Sequence, residues 1–545
     1  MTAVVTRPEP VPTVPGARVI GSTVTRLALR QVRRGALIIV ALVAGMSAMV
    51  AATYASTVGD ALDAAALAAL AENPAIRTLF GQPVALDDAG GFTVWRTGTV
   101  LSVLVGTWGL LAAIRVTRGE EDAGRWALVA AGRLPVTAIV ARHVAVLTGA
   151  VLTAGVAAGA ALLAVGTSPA GAVLHGVGLA LVGVYFVAAG ALMAQVFASR
   201  AAASGAATAL LGAGLLLRMV GDGVDALGWL RWLSPFGLVT LAQPYAANRV
   251  LPLVVLTAFA VTLLVVAVLA ARPRDLGGGW LAASAGRRPR LGLLGSVSGF
   301  AARRLARPLA GWAAGVGAYY LLIGVLTVSM TEFLTENARF ADLAAQAGFA
   351  GLGSVEGYVA AMVTLLAIPA GVFAAVRSAA FAADEAAGRL TLLHAQPLTR
   401  TRFLLAELVV TGCGTTALLV AAGLATWAGA STVDAPLGLL AALAGTLNVL
   451  PVALLSLGAA TFAVGWLPRA AAIVGALPAA GGFLLQVVAD STGAPGWVGQ
   501  LSPYAHLAPV PDAAPNWTAS ALMVIIAGAL AALGLFGYQR RDLQG

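Results

Sequence analysis

Lysine is absent from this chain of 545 residues, and all 33 basic side chains are arginine. A phosphate-binding P-loop ends in Gly-Lys followed by Ser or Thr because the ammonium must reach the terminal phosphates, so no nucleotide site of that kind is expected. Cysteine occurs once, as Cys413 in an apolar run, which excludes a disulfide framework and a thiolate metal site and leaves a packing role. The four histidines, His143, His175, His394 and His506, are scattered, and no metal site is expected. His175, near the start of an apolar run, reads as an interfacial or packed residue more readily than as a proton relay. Charge itself is scarce, at 10% of residues against 59% hydrophobic, with a mean hydropathy of +0.91. So little polar surface cannot cover a soluble globule. Within the apolar runs carboxylates are nearly missing, with Glu407 and Asp490 only at their edges. An ion-coupled carrier usually keeps ionisable groups near mid-membrane, so that class loses support.

What is present is apolar length. A bilayer crossing needs roughly 20 apolar residues. Suitable runs fall near 36–55, 98–114, 144–165, 171–197, 201–217 and 250–271, then near 312–330, 359–376, 409–429, 436–463, 471–489 and 518–538. The expected fold is an all-α polytopic membrane protein of twelve transmembrane helices. With the N-terminus inside, Arg30, Arg33, Arg115, Arg118, Arg125, Arg142, Arg303, Arg389 and Arg541 all fall on the cytoplasmic side. Asp60, Asp87, Asp222, Glu332 and Asp342 fall outside, as the excess of positive charge in inner loops requires. A pI near 10.7 could suggest nucleic acid, but the arginines are spread over short loops instead of one aromatic-studded face. Topology and anionic lipid account for them, and no nucleic-acid partner is expected. The first 25 residues are rich in Pro and Thr and lack an apolar core, so an uncleaved N-terminus is expected.

The charged insert at 118–143 stands between two of these runs and returns in the second half. Glu121-Asp122-Ala123-Gly124-Arg125 corresponds to Glu385-Ala386-Ala387-Gly388-Arg389, 264 residues later. Each Gly-Arg leads through a proline, Pro135 or Pro397, into the next apolar run, and the insert reads as a cytoplasmic helical hairpin. Ser199-Arg200-Ala201 pairs with Pro468-Arg469-Ala470, and Leu233-Ser234-Pro235-Phe236 with Leu501-Ser502-Pro503-Tyr504. Three landmarks in register imply a duplicated chain. Six spans per half give both halves one orientation, related by an axis along the membrane normal. The expected division is a first six-helix half at 1–271, a basic, Gly-rich linker at 272–298 and a second six-helix half at 299–545. Residues 22–35 and 300–309 carry arginines beside apolar residues at helical spacing, and an interfacial amphipathic helix is expected before each half. Small-residue pairs, Gly205 with Ala209 and Ala476 with Ala480, allow close helix approach.

These features together, with Glu-x-x-Gly-Arg and a proline turn between the second and third spans, resemble the ABC-2 type permeases. The closest resemblance is to the fused two-half permeases of actinobacterial polyketide-antibiotic and multidrug exporters. The resemblance implies a permease subunit without catalytic residues or a cofactor of its own. ATP and Mg would be bound by a separate ABC ATPase subunit, present in two copies. It also implies a lipophilic small-molecule substrate, a membrane-lipid environment, and a multi-pass location in the cytoplasmic membrane with both termini inside. Carried over residue by residue, coupling to the ATPase falls to Glu120, Glu121, Gly124 and Arg125, and to Glu385, Gly388 and Arg389. The substrate path falls between the second and fifth helices of each half, with Trp108, Phe373 and Phe483 as candidate lining residues. The alternatives are an ion-coupled secondary carrier and a non-transporting membrane scaffold.

Overall fold

The computed structural model describes residues 17–54, 77–131 except 79, 134–281 except 273, 292–336, 351–492 except 395, and 495–541. The chain divides into two compact units, Met1–Arg287 and Arg288–Gly545. Apolar segments in lipid must satisfy every backbone N–H and C=O internally, and helices achieve this. Among the described residues twelve helices are long and apolar enough to cross a membrane.

In the first unit α1 (Ala17–Thr53) is one continuous helix. The amphipathic segment at 22–35, expected as a separate interfacial helix, is therefore its first turns. Asp88 caps α2 (Ala89–Ile114), its carboxylate accepting the Gly90 and Gly91 amides at 2.7 and 3.0 Å. The helix continues through a π-helical turn, Arg115–Gly119, to Asp122. After the short α3 (Arg125–Ala130) come α4 (Val136–Ala164), α5 (Pro169–Val196) and α6 (Arg200–Gly223). A 3-10 segment, Asp225–Leu233, precedes α7 (Pro235–Ala242) and the last span, α8 (Leu251–Leu269). Helix α5 is the most buried span and packs on α2, α4 and α8, while α1 lies along α4. Gly155 of α4 and Gly176 of α5 sit backbone to backbone, with no room for a Cβ on either.

The second unit opens with α9 (Val297–Val325), again continuous through its arginine-rich start and bearing Pro308 inside. It is followed by α10 (Thr327–Glu336), then by α11 (Val355–Thr364) and α12 (Ala367–Ala386), which together make one span. Next are α13 (Thr391–His394) and α14 (Arg400–Ser431), whose N-cap Thr399 accepts the Arg402 amide. A broken span joins α15 (Leu439–Asn448) to α16 (Leu450–Trp466). The eleventh span runs through α17 (Ala471–Ala476), a π-helical turn at Leu477–Gly481 and the start of α18 (Gly482–Thr492). The chain's last span is α19 (Trp517–Arg540). Here α16 is central, packed on α12 and α19, while α9 lies along α14. First span on third, second on fourth, third on fourth and fourth on sixth are pairings common to both units.

In the fifth span close approach does not fall where the sequence suggested, while in the eleventh it falls on Gly475 and Ala479, each next to the expected pair. A Cβ on Gly205 would meet open space, whereas Gly324 against Gly429 and Gly458 against Ala527 are backbone contacts. Cys413, expected to pack, is exposed on the surface of α14. In apolar solvent an outward cysteine costs nothing, which is why an apolar neighbourhood in sequence did not predict burial. The first outer loop, 56–93, reads from its sequence as short surface helices, with 331–358 as its counterpart; of these, residues 55–76 and 337–350 lie outside the described residues.

Candidate functional site

Each charged hairpin is built the same way. Gly124 and Gly388 adopt left-handed backbones, with φ of 72° and 69°, and terminate the preceding helix. The Gly124 amide donates to the Glu121 carbonyl and the Gly388 amide to the Glu385 carbonyl, both at 2.9 Å. The reversal turns the next residues outward. Arg125 and Arg389 are exposed, and each folds back on the acid five residues earlier, Arg125 on Glu120 at 2.5 and 2.8 Å and Arg389 on Asp384 at 2.9 Å. One residue further on, Trp126 and Leu390 turn inward. Trp126 lies 5.7 Å from the His143 ring, whose Nδ1 is 2.9 Å from the Ile139 carbonyl. His143 thus belongs to the start of α4 and not to the hairpin's polar surface. The side chain of His394 and residues 132–133, with Arg133, lie outside the described residues.

The two glutamates point inward. Glu121 is 8% exposed and Glu385 5%. Arg274, just beyond the last span of the first unit, grips Glu121 with both terminal nitrogens, at 2.6 and 2.7 Å. The Gly277 amide adds a third bond at 2.6 Å, and fully buried Arg118 stands 3.3 Å away. Arg118 itself donates to the Ala194 carbonyl at the end of α5. Glu385 meets Arg541, the residue after α19, whose Nη2 lies 2.8 Å from both carboxylate oxygens. Its neighbour Asp384 is held by Arg304 at 2.6 Å, and the same guanidinium reaches Glu407 at 2.5 Å. Glu407, noted in the sequence only as an acid at a span edge, is therefore half of an ion pair that ties α14 to the start of α9.

The outward tips are residues 122–125 and 386–389, exposed throughout, with Leu128 81% exposed behind the first. The sequence brought Glu120, Glu121, Gly124 and Arg125 together correctly as neighbours but could not show which side chains face out. It also missed Arg274, Arg541 and Arg304, whose partners are more than 75 residues away.

The aromatic candidates are dispersed. Trp108 packs against Gly35 of α1. Phe373 is fully buried, its ring 5.8 Å from Trp312, with Leu305 and Leu418 around it. Phe483 lies 5.6 Å from the Tyr504 ring. The first unit also contains a cavity of about 50 Å³, mostly apolar in lining, around Trp95, Ser102, His175, Arg218, Phe236 and Gln243. His175 is wholly buried with neither ring nitrogen bonded to protein, and Arg218 pairs with Asp222 at 2.7 Å. A space of that size holds a few waters, which would satisfy the imidazole.

Among the described residues, twelve apolar helices, with a charged, internally braced hairpin after the second span of each unit, define an all-helical, polytopic membrane protein. The family model for the multidrug efflux system permease Rv1217c, C-terminal domain, matches residues 22–272 and 294–539, and the chain belongs to that family. It is 32% identical over 497 residues to the multidrug efflux system permease protein Rv1217c of Mycobacterium tuberculosis (strain ATCC 25618 / H37Rv), an alignment covering 88% of this chain and 87% of that protein.

Proposed function

We propose that this chain is the membrane permease of an ATP-driven exporter of lipophilic drugs or antibiotics, each hairpin receiving one copy of a separate ABC ATPase subunit. The observation that carries the reading is the pair of hairpins with one backbone geometry and one burial pattern: Glu inward, Gly-Arg outward, then an inward Trp or Leu. A single chain that presents two such tips offers two docking places. The family relative is named as an efflux permease, which supports the direction of transport. Without lysine the chain has no P-loop, so hydrolysis belongs to the partner. Both hairpins, both termini and the basic segment at 272–298 are cytoplasmic in this reading, and the two units act as tandem halves.

The division of labour within each hairpin follows from burial. Asp122, Gly124 and Arg125, with Gly388 and Arg389, form the docking surface. Glu120 orients Arg125 as Asp384 orients Arg389. Glu121 and Glu385 hold the hairpins to the membrane body. Trp108, Phe373 and Phe483 remain candidates for the substrate path by their place on the second, eighth and eleventh spans. Apolar spans with so few fixed charges suit lipophilic compounds better than strongly ionic solutes. The test is co-expression with a candidate ABC ATPase subunit and reconstitution. Drug-stimulated hydrolysis that requires the permease is expected. ATP-independent uptake driven by an ion gradient would replace the exporter with a secondary carrier.

A further inference from the structure

We propose that Arg274 and Arg541 are positioning residues that couple each hairpin to the last span of its own unit, so that a push on the hairpin is delivered to α8 and α19. The proposal deepens the coupling reading above and rests on it. Arg274 follows α8 within a few residues, and Arg541 is the first residue beyond α19. Each reaches back over more than 150 residues to the buried glutamate of the hairpin.

The surroundings of the two contacts differ. In the first unit the Arg274 Nε also donates to the Gln195 side chain at 2.8 Å, and the segment after it pairs with the end of α5 through Trp280 N to Gln195 O at 3.2 Å and Leu281 N to Val196 O at 2.9 Å. In the second unit the Arg541 guanidinium lies over the Tyr538 ring at 4.9 Å, and Arg400 at the head of α14 donates to the Arg541 carbonyl at 3.0 Å. Different neighbours thus assemble one contact, arginine after the last span to glutamate before the glycine turn. A buried carboxylate–guanidinium pair resists sliding, because separating the partners strands both charges away from water. It therefore acts as a stiff link, and a forked arginine fixes orientation where a lysine would not. Among the described residues this link joins the segment just beyond the last span to the residue whose carbonyl accepts the glycine amide of the turn, with the Gly277 amide beside it in the first unit and the Tyr538 side chain in the second.

The experiment uses the full chain with its ATPase partner in lipid nanodiscs. Spin labels are placed at Ala131→Cys and Leu251→Cys for the first unit, or at Gln396→Cys and Trp517→Cys for the second, in a Cys413→Ser background. Pulsed EPR then reads the distance distributions without nucleotide and with a non-hydrolysed ATP analogue. In the unaltered chain each distribution should stay narrow in both states, hairpin and span moving together. In Arg274→Gln the first pair should broaden and shift on nucleotide binding, and in Arg541→Gln the second, each leaving the other unit as before. Basal hydrolysis should persist while its stimulation by the permease falls about tenfold, the size of an ordinary allosteric coupling. Arg274→Lys and Arg541→Lys keep the charge without the fork and should give the same broadening in part. They carry the test if the glutamine variants are not recovered. Lower thermal stability with unchanged nucleotide-dependent distances would reduce the arginines to structural staples and overturn the proposal. Failure of the ATPase to bind the unaltered chain, or binding elsewhere than the hairpins, would instead remove the coupling reading beneath it.

Discussion

The two hairpins share a backbone and differ in what braces it. In the first, Glu121 sits in a cage of Arg118, Arg274 and the Gly277 amide, and the span leading to it passes through a π-helical turn. In the second, the leading helix stays α-helical to Ala386, Glu385 meets Arg541 and the Tyr538 side chain, and the extra bracing is displaced to the Arg304 links with Asp384 and Glu407. What the two units share is therefore an arrangement: a buried acid, a left-handed glycine and an outward arginine. The cations that neutralise the acid differ. Such a difference is expected where the requirement is an internal counter-charge and not a particular partner.

The comparison can be broken first at the acids. Glu121→Ala leaves two buried guanidiniums without their carboxylate and should cost about 3–5 kcal/mol, the range for breaking a buried pair. Glu385→Ala strands one and should fall at or below the lower end of about 3 kcal/mol. Denaturation of the purified variants in detergent checks the order, and an equal loss in both would mean that Arg118 adds nothing. Next are the glycines. Gly124→Ala and Gly388→Ala force a Cβ into the left-handed region at about 1–2 kcal/mol each. Because the φ angles differ by only a few degrees, the two losses should match in the same denaturation assay, unlike those of the acids. The smallest stability effect belongs to the tips. Arg125 and Arg389 are exposed ion-paired residues, and Arg125→Ala or Arg389→Ala should change stability by less than about 1 kcal/mol. Each should nevertheless weaken retention of the ATPase on gel filtration, and unchanged retention would assign the tips to solvated surface.

Much of this was legible in the sequence, because it depends on neighbours. The apolar runs located the twelve spans, although the helices run beyond them at the two basic starts, which merge into the first and seventh spans, and at the charged ends of 89–122, 136–164, 355–386 and 400–431. The Ser-Pro landmarks proved to be matched caps, with the Ser234 hydroxyl donating to the Gly214 carbonyl at 2.6 Å and Ser502 to Gly482 at 2.9 Å. The Gly-Arg pair marked each turn. Orientation was not legible. That Glu121 points inward and Arg125 outward depends on Arg274 returning from beyond the sixth span, a pairing that no local pattern encodes. Phe373 shows the same limit, since an aromatic on an apolar helix reads alike whether it faces a path, lipid or, as here, Trp312.

The central claim is that each hairpin tip holds one ATPase, and native mass spectrometry of the complex tests it most directly. The unaltered complex should contain one copy of this chain and two ATPase subunits. Arg125→Glu and Arg389→Glu should each lose one subunit and retain the other, and the double variant should lose both. A full complement of ATPase on the double variant, or two copies of this chain in the unaltered complex, would contradict the account.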